Sequence, residues 1–181
     1  MSKKNFDVVV YGASGFTGKL VVEYLHNQYG SEQNFSWALA GRSQEKLCSV
    51  RDELGISKDV PLLVVDSNDE SSVIEMVTQT KCVLTTVGPY QLYGQNIIKQ
   101  CAQHGTDYVD LCGEPGWMHE MINEYSKQAE ETGARIVFSC GFDSIPFDLG
   151  VFFLQKEVIA KHGKPASSVR GRVRAMNGEF S

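Results

Sequence analysis

A glycine-rich turn between an apolar strand pattern and a helix pattern most constrains how this chain can fold. Gly12, Gly15 and Gly18 recur at every third position of Gly12-Ala13-Ser14-Gly15-Phe16-Thr17-Gly18. The turn follows the apolar run Phe6–Tyr11 and opens a helical periodicity over residues 17–29. Glycines in this context permit a tight turn and let a helix pack close to the preceding strand. The spacing therefore predicts a β-α-β unit at the start of the chain.

The same alternation of strand and helix patterns continues along most of the sequence. The predicted strands cover residues 6–11, 36–40, 61–65, 82–86, 108–110 and 135–139. The predicted helices cover residues 17–29, 44–54, 70–80, 91–104 and 115–132. Short apolar strands separated by helices are typical of a parallel sheet that is covered on both faces. We therefore predict an α/β fold, a Rossmann-type doubly wound parallel sheet, over residues 5–150.

The last thirty or so residues follow a different pattern. Asp143-Ser144-Ile145-Pro146 is predicted to cap a helix, with Asp143 and Ser144 as the capping residues, and Gly163-Lys164-Pro165 ends that helix. Residues 168–176 then alternate between small or apolar side chains and polar ones, which is typical of a strand with one solvated face. We expect residues 151–181 to form a connecting helix and the first strand of a truncated second α+β domain, which serves substrate binding or dimerisation.

Composition excludes several classes of function. A formal net charge of -5 argues against a polyanion-binding surface, so nucleic acid is not an expected partner. The longest apolar stretch, residues 149–154, is far shorter than the roughly 20 residues of a membrane span, and no signal peptide is expected. The five cysteines lack C-x-x-C spacing and the four histidines are scattered. This predicts reduced thiols, no metal site and a cytoplasmic location.

The glycine turn also has binding chemistry. Backbone N–H groups at the positive end of a helix dipole bind an anion when no side chain intervenes. Gly12 forms the turn, Gly15 allows the phosphates to approach, and Ser14 and Thr17 add hydroxyl donors, with Phe16 between them. The strand-turn-helix context therefore predicts a site for the pyrophosphate of a nicotinamide dinucleotide.

The end of the second strand distinguishes the two nicotinamide cofactors. An acidic residue there accepts hydrogen bonds from the ribose of NAD, whereas an arginine suits the 2′-phosphate of NADP. The sequence has no acid at this place but offers Arg42, assisted by Ser43 and Lys46. The alternative interpretation makes Arg42 a solvated loop cation and Ser43 a helix cap. NADP is the predicted cofactor, and NAD is the less favoured one.

Later strand ends supply the remaining candidates. Asp66 either reaches the adenine edge or caps the helix that follows it. The nicotinamide end of the site is predicted at Val87, Gly88 and Pro89, with a rigid helix entry as the alternative interpretation of Pro89. Asp110, Glu114 and Asp143 are candidates for acid–base chemistry or for amine binding, although we favour a structural role for them. Since none of the seven tyrosines has a lysine four positions later, the tyrosine–lysine pair of short-chain reductases is excluded and no catalytic residue is assigned.

These motifs together resemble the saccharopine dehydrogenase-like oxidoreductases, relatives of the trans-acting enoyl reductases, over their N-terminal portion. The matching segments are Val10–Gly18, Ala40–Ser43, Val87–Tyr90 with Tyr93-Gly94, Asp110 with Gly113-Glu114, and Gly141–Pro146 with Asp148–Gly150. The resemblance implies an N-terminal Rossmann domain, a C-terminal α+β domain and a nicotinamide cofactor. It also implies that most substrate-binding residues lie in the second domain.

The function expected from these observations is hydride transfer between NADP and an imine or enoyl carbon, with a small-molecule or lipid substrate. We expect the 181-residue piece to lack turnover by itself, and any homodimer to form through the missing second domain. The alternative is a non-catalytic Rossmann-fold scaffold, or a binding protein associated with a membrane surface.

Overall fold

The computed structural model describes residues 4–30 and 34–174 of the chain. The strands in this part are β1 (Phe6–Tyr11), β2 (Trp37–Gly41), β3 (Leu62–Val64), β4 (Thr80–Thr85), β5 (Asp107–Val109) and β6 (Ile136–Val137). The helices there are α1 (Phe16–Tyr29), α2 (Gln44–Glu53), α3 (Glu70–Gln79), α4 (Tyr90–Tyr93), α5 (Gln95–His104), α6 (Pro115–Thr132) and α7 (Ile145–His162). Each predicted strand from residue 6 to residue 139 is present, although β6 is shorter than expected.

All strand pairs described by the structure are parallel, and the sheet order is β3-β2-β1-β4-β5-β6. The order reverses at β1, which pairs with β2 on one side and with β4 on the other. This confirms the predicted doubly wound Rossmann-type sheet. The reversal opens a crevice beyond the carboxyl ends of β1 and β4, where ligands of such sheets bind.

The core lies in two layers, one on each face of the sheet. Successive side chains of a strand point to opposite faces. Val9 of β1 therefore packs in the layer that contains Met76 of α3 and Ile98 of α5. Val10, its neighbour, packs in the other layer with Val22 of α1 and Leu47 of α2. Burial on both faces explains why β1 and β2 are apolar at nearly every position.

One predicted helix is divided in the structure. The sequence predicts a single helix over residues 91–104, whereas the structure has α4 and α5 joined at Gly94. A Cβ atom at Gly94 would lie only 2.5 Å from Cζ2 of Trp117, so the backbone there touches the indole ring of α6. The prediction of one uninterrupted helix was wrong because this contact joins residues that are distant in the sequence.

The C-terminal part of the described chain differs from the prediction in another way. The helix is present as α7, but residues 168–174 pair with no strand that the structure describes, and residues 175–176 of the predicted strand lie outside the described part. A strand needs a neighbour for its backbone hydrogen bonds, and the described residues provide none here. Large apolar side chains of α7 are exposed, including Phe152 at 66% and Phe153 at 65%.

The contact of α1 with β1 gives the first testable prediction. A Cβ atom at Gly18 would lie 2.0 Å from the carbonyl oxygen of Gly12 and 2.9 Å from Oγ1 of Thr86. Gly18→Ala should therefore push α1 away from the turn and lower the free energy of unfolding by about 1–3 kcal/mol, as overpacking does. Urea unfolding followed by circular dichroism measures the change.

The matched control is Gly116→Ala in α6, where a Cβ atom would meet nothing within 4 Å. This variant should be neutral, or more stable by up to about 1 kcal/mol because alanine favours helix. Equal stability changes for the two variants would contradict the close-packing argument.

Candidate cofactor-binding site

A cleft of about 590 Å³ opens at the carboxyl edge of the sheet, where the strand order reverses. It lies between the glycine turn, the end of β2 and the segment after β4. The predicted site residues that line it are Gly12, Ser14, Gly15, Arg42, Ser43, Val87 and Gly88. The other predicted site residues, which are not in its lining, are Phe16, Thr17, Asp66 and Pro89. The structure thus brings together three segments that are far apart in sequence.

The glycine turn is shaped for close approach. Gly12 has φ +90°, a left-handed conformation that glycine adopts without strain, and a Cβ atom there would lie 2.7 Å from Cγ2 of Val87. Gly15 precedes the first residue of α1, and its N–H donates to the carbonyl oxygen of Gly12 at 2.9 Å. The N–H groups of the first turn of α1 have no carbonyl partner within the helix, so they are available to an anion. The turn fits a pyrophosphate.

The end of β2 contributes positive charge to the same cleft. Arg42 and Lys46 both line it, and Arg42 is exposed. No ion pair within 4–30 and 34–174 involves Arg42. The hydroxyl of Ser43 accepts a hydrogen bond from the N–H of Lys46 at 3.3 Å, so Ser43 caps α2 as one of the two interpretations predicted. The guanidinium of Arg42 offers a planar fork that suits a phosphate.

Three polar residues of the cleft, Tyr11, Ser67 and Thr86, are not among the site residues predicted from the sequence. The buried phenol oxygen of Tyr11 accepts from the N–H of Ser67 at 3.1 Å, and burial raises the pKa of Tyr11. Thr86 places its hydroxyl 3.4 Å from the carbonyl oxygens of Tyr11 and Gly12. All three line the cleft. Tyr11 ends β1, Thr86 directly follows β4, and Ser67 lies three residues after β3. Small polar residues within three positions of a strand end are therefore the sequence signal that points to Ser67 and Thr86.

Asp66 has a local role in the structure. Its Oδ1 accepts from the N–H of Asn68 at 3.0 Å, which closes the turn after β3. The cap of α3 is Asp69, whose Oδ1 accepts from the N–H of Ser71 at 3.1 Å. The alternative in which Asp66 caps this helix was therefore wrong, because the helix begins three residues later than that interpretation requires.

Asp110 is buried below the cleft and satisfies three donors. Its Oδ1 accepts from the N–H of Cys112 at 3.0 Å and from the N–H of Ser139 at 2.7 Å, while Oδ2 accepts from the hydroxyl of Tyr108 at 2.8 Å. Burial raises the pKa of this carboxyl above its usual value, although the three hydrogen bonds oppose the shift. Asp110 therefore joins the loops after β5 and β6 to each other.

Glu114 also contacts the protein backbone, and the predicted cap of α7 differs from the structure. Glu114 accepts from the N–H groups of Tyr90 and Gln91, at 2.8 and 3.0 Å. Ser144 occupies the N-cap position of α7 but makes no side-chain capping hydrogen bond, contrary to the predicted capping role. The backbone closes this turn instead, since the N–H of Asp148 donates to the carbonyl oxygen of Ser144.

The described residues offer neither a metal-ion cluster nor a membrane-spanning helix. Among residues 4–30 and 34–174, no group of three or more His, Cys, Asp or Glu side chains is arranged to hold a metal ion. In the same residues, no helix combines the length and the hydropathy that crossing a bilayer requires.

A doubly wound parallel sheet with a glycine turn before α1 and an arginine after β2 defines a Rossmann-type domain for a nicotinamide dinucleotide. The profile of the saccharopine dehydrogenase NADP-binding domain matches residues 8–137. The chain belongs to this family, which confirms NADP as the predicted cofactor.

Individual relatives are consistent with this family. The chain is 50% identical over 156 residues to the lipid droplet localized protein of Caenorhabditis elegans, covering 83% of this chain and 36% of the relative. It is 44% identical over 179 residues to a putative trans-acting enoyl reductase of Mycobacterium tuberculosis, covering 98% of this chain and 42% of the relative. The chain thus spans well under half the length of these relatives.

Solved structures show the same fold at low sequence identity. Apo saccharopine dehydrogenase (L-Glu forming) from Saccharomyces cerevisiae superposes with a TM-score of 0.67 at 16% identity, covering 87% of this chain and 32% of that one. The triphenylmethane reductase of Citrobacter, complexed with NADP(H), superposes with a TM-score of 0.55 at 18% identity, covering 84% and 55% of the two chains.

The buried carboxyl of Asp110 gives the second testable prediction. Asp110→Ala leaves three donors without an acceptor and should lower the free energy of unfolding by about 2–4 kcal/mol. Asp110→Asn is the matched control, because its Oδ1 can keep both N–H bonds and its Nδ2 can donate to the Tyr108 hydroxyl. At about pH 4 this variant should lose less than about 1 kcal/mol of the free energy of unfolding.

The raised pKa adds a pH dependence to this comparison. Since the folded-state pKa of Asp110 lies above the unfolded one, its ionisation lowers the free energy of unfolding as pH rises through that interval. The stability of Asp110→Asn relative to the unsubstituted chain should therefore rise between about pH 4 and about pH 7. Urea titrations at both pH values measure this difference in the free energy of unfolding. A difference that is the same at both pH values would contradict the raised pKa of Asp110.

Proposed function

We propose that this chain is the cofactor-binding part of an NADP-dependent oxidoreductase whose substrate offers an imine or enoyl carbon. The observation that carries the proposal is the cleft in which the glycine turn and the cationic end of β2 face the same space. The name of the mycobacterial relative, a trans-acting enoyl reductase, supports the enoyl class. The resemblance to saccharopine dehydrogenases supports the imine class.

Each wall of the cleft has a separate task in this proposal. The turn at Gly12 and Gly15 holds the pyrophosphate at the start of α1, and Arg42 with Lys46 binds the 2′-phosphate. Gly88, whose position leaves room for a flat ring, lies beside the nicotinamide half. When bound, NADPH supplies a hydride from C4 of its nicotinamide. The protein orients that ring and excludes water from it.

The third testable prediction concerns the choice of cofactor. Arg42→Ala should raise the Kd of NADPH about tenfold to a hundredfold, because a charge-assisted hydrogen bond contributes about 1.5–3 kcal/mol. The Kd of NADH should change less than about twofold, since NADH has no 2′-phosphate for Arg42 to bind. Titrations of the 181-residue chain with each nucleotide, followed by nicotinamide fluorescence, measure both values.

The control for this titration is Arg170→Ala, which removes the same charge from an exposed position outside the cleft. It should leave both Kd values unchanged. If neither nucleotide binds the unsubstituted chain, the proposed cofactor function is wrong. If Arg42→Ala weakens NADPH and NADH equally, the role of Arg42 at the 2′-phosphate is wrong.

The reaction itself needs the full-length protein, because the substrate-binding residues are proposed to lie beyond the cofactor domain. NADPH deuterated at C4 should transfer deuterium to a 2-enoyl thioester or to an imine formed from an amine and a keto acid. Product analysis by mass spectrometry distinguishes the two classes. Tight NADPH binding without transfer to either substrate would favour the non-catalytic scaffold.

We also propose that α7 begins a second domain in the full-length protein. Residues 149–154 of α7 form an uninterrupted apolar run with exposed side chains, and a helical segment that is apolar on all sides is normally buried in a core. The greater length of the relatives supports the presence of further chain. Any homodimer is proposed to form through this second domain.

The proposed location of the protein is cytoplasmic and peripheral to membranes. The relative that is named for lipid droplets supports this location.

A further inference from the structure

The nicotinamide wall of the cleft is built by a segment with little regular structure of its own. Val87, Gly88 and Tyr93 line the cleft on the side of β4, whereas Arg42 lines it after β2. Strands β2 and β4 flank β1, so these two walls are separated by about two strand spacings, roughly 10 Å. The β4 wall ends in α4, a helix of four residues. A helix this short cannot hold its position without outside contacts.

One side chain supplies the central outside contact. The two carboxylate oxygens of Glu114 accept separately from consecutive backbone N–H groups at the start of α4: Oε1 from Tyr90 at 2.8 Å and Oε2 from Gln91 at 3.0 Å. These N–H groups belong to the first helical turn and have no partner within the helix. The contact joins the loop after β5 to a segment more than twenty positions earlier in the chain. It therefore fixes the position of the β4 wall relative to α6.

Neighbouring contacts make the loop that carries Glu114 a rigid support. Asp110 joins this loop to the segment after β6 through the N–H groups of Cys112 and Ser139. The phenol oxygen of Tyr90 lies 3.3 Å from the carbonyl oxygen of Thr85, to which it donates, and 3.4 Å from the N–H of Leu111, from which it accepts. Hydrogen bonds thus connect the loop that carries Glu114, directly or through Tyr90, to the ends of β4, β5 and β6.

Aromatic contacts also hold α4 against α6. Tyr90 packs against Trp117 of α6 with ring centroids 5.8 Å apart. Gly94 brings its backbone against the same indole. These apolar contacts hold α4 near α6 but do not orient its backbone. The two hydrogen bonds of Glu114 are directional, so they orient the first N–H groups of α4.

We propose that Glu114 is a positioning residue for the cofactor: it holds the Val87–Tyr93 wall in the geometry that receives the nicotinamide half of NADPH. This inference rests on the proposed NADP-dependent function. Glu114 acts through α4 and is not in the lining of the cleft. Both of its carboxylate oxygens are engaged by backbone donors, which distinguishes it from a group that exchanges protons with a substrate.

The test compares the whole cofactor with a fragment that lacks the nicotinamide. Glu114→Gln keeps one carbonyl acceptor but turns an NH2 group towards the second N–H, so the wall loses one of its two anchors. The Kd of NADPH should rise about tenfold, as expected for one net hydrogen bond. The Kd of adenosine 2′,5′-bisphosphate should change less than about twofold, because this fragment binds between Arg42 and the glycine turn.

Two further measurements on the 181-residue chain separate positioning from general destabilisation. Hydrogen exchange should become faster at the amides of Tyr90 and Gln91 in Glu114→Gln while amides of β1 keep their protection. The control Glu120→Gln, at an exposed glutamate of α6, should change neither nucleotide affinity nor exchange.

The outcomes distinguish this inference from the function on which it rests. If the unsubstituted chain binds no NADPH, the proposed function fails. If it binds NADPH and Glu114→Gln binds both ligands as before, or loses both equally, the positioning role of Glu114 is overturned. Unchanged exchange at Tyr90 and Gln91 would overturn it as well.

Discussion

The close approach of α1 to the end of β1 is the constraint on which the rest of this domain depends. A Cβ atom at Gly18 would come within 2.0 Å of the Gly12 carbonyl oxygen, so only glycine lets the helix start directly above the strand end. This contact aims the first turn of α1 into the crevice beside β1. At the same turn Gly12 lies against Val87, so the β4 wall meets the turn there. The fold and the proposed anion site therefore depend on the same glycine turn.

The cleft is organised as a central turn with one wall on each side, and the walls are built differently. The β2 wall offers Arg42 from the loop after β2 and Lys46 from α2, the helix that Ser43 caps, so charge and a regular helix define this wall. The β4 wall has no charged side chain in the cleft lining, and Glu114 accepts two backbone hydrogen bonds at the start of its short helix α4. The proposed phosphate binding and the proposed placement of the nicotinamide therefore rest on separate residues, which allows them to be tested separately.

Buried polar groups on the β5 side have structural tasks. Asp110 satisfies three donors in a buried position, and Glu114 satisfies two at the start of α4. Such groups are retained in a core when each acceptor has its partners, since an unpaired buried donor destabilises the fold. The preference for a structural role of these carboxylates, inferred from local sequence, agrees with these contacts.

The sequence by itself determined the sheet, its cofactor turn and the cationic end of β2, because strand and helix periods, glycine spacing and strand-end residues are local signals. Only the tertiary structure decided three features: the division of the predicted helix at Gly94, the hydrogen bond between Ser67 and Tyr11, and the hydrogen bonds of Glu114 with the start of α4. Each of these depends on a partner more than twenty residues away. The predicted strand over residues 168–176 stays a prediction for a related reason, since a strand forms only beside another, and the described residues place no neighbouring strand there.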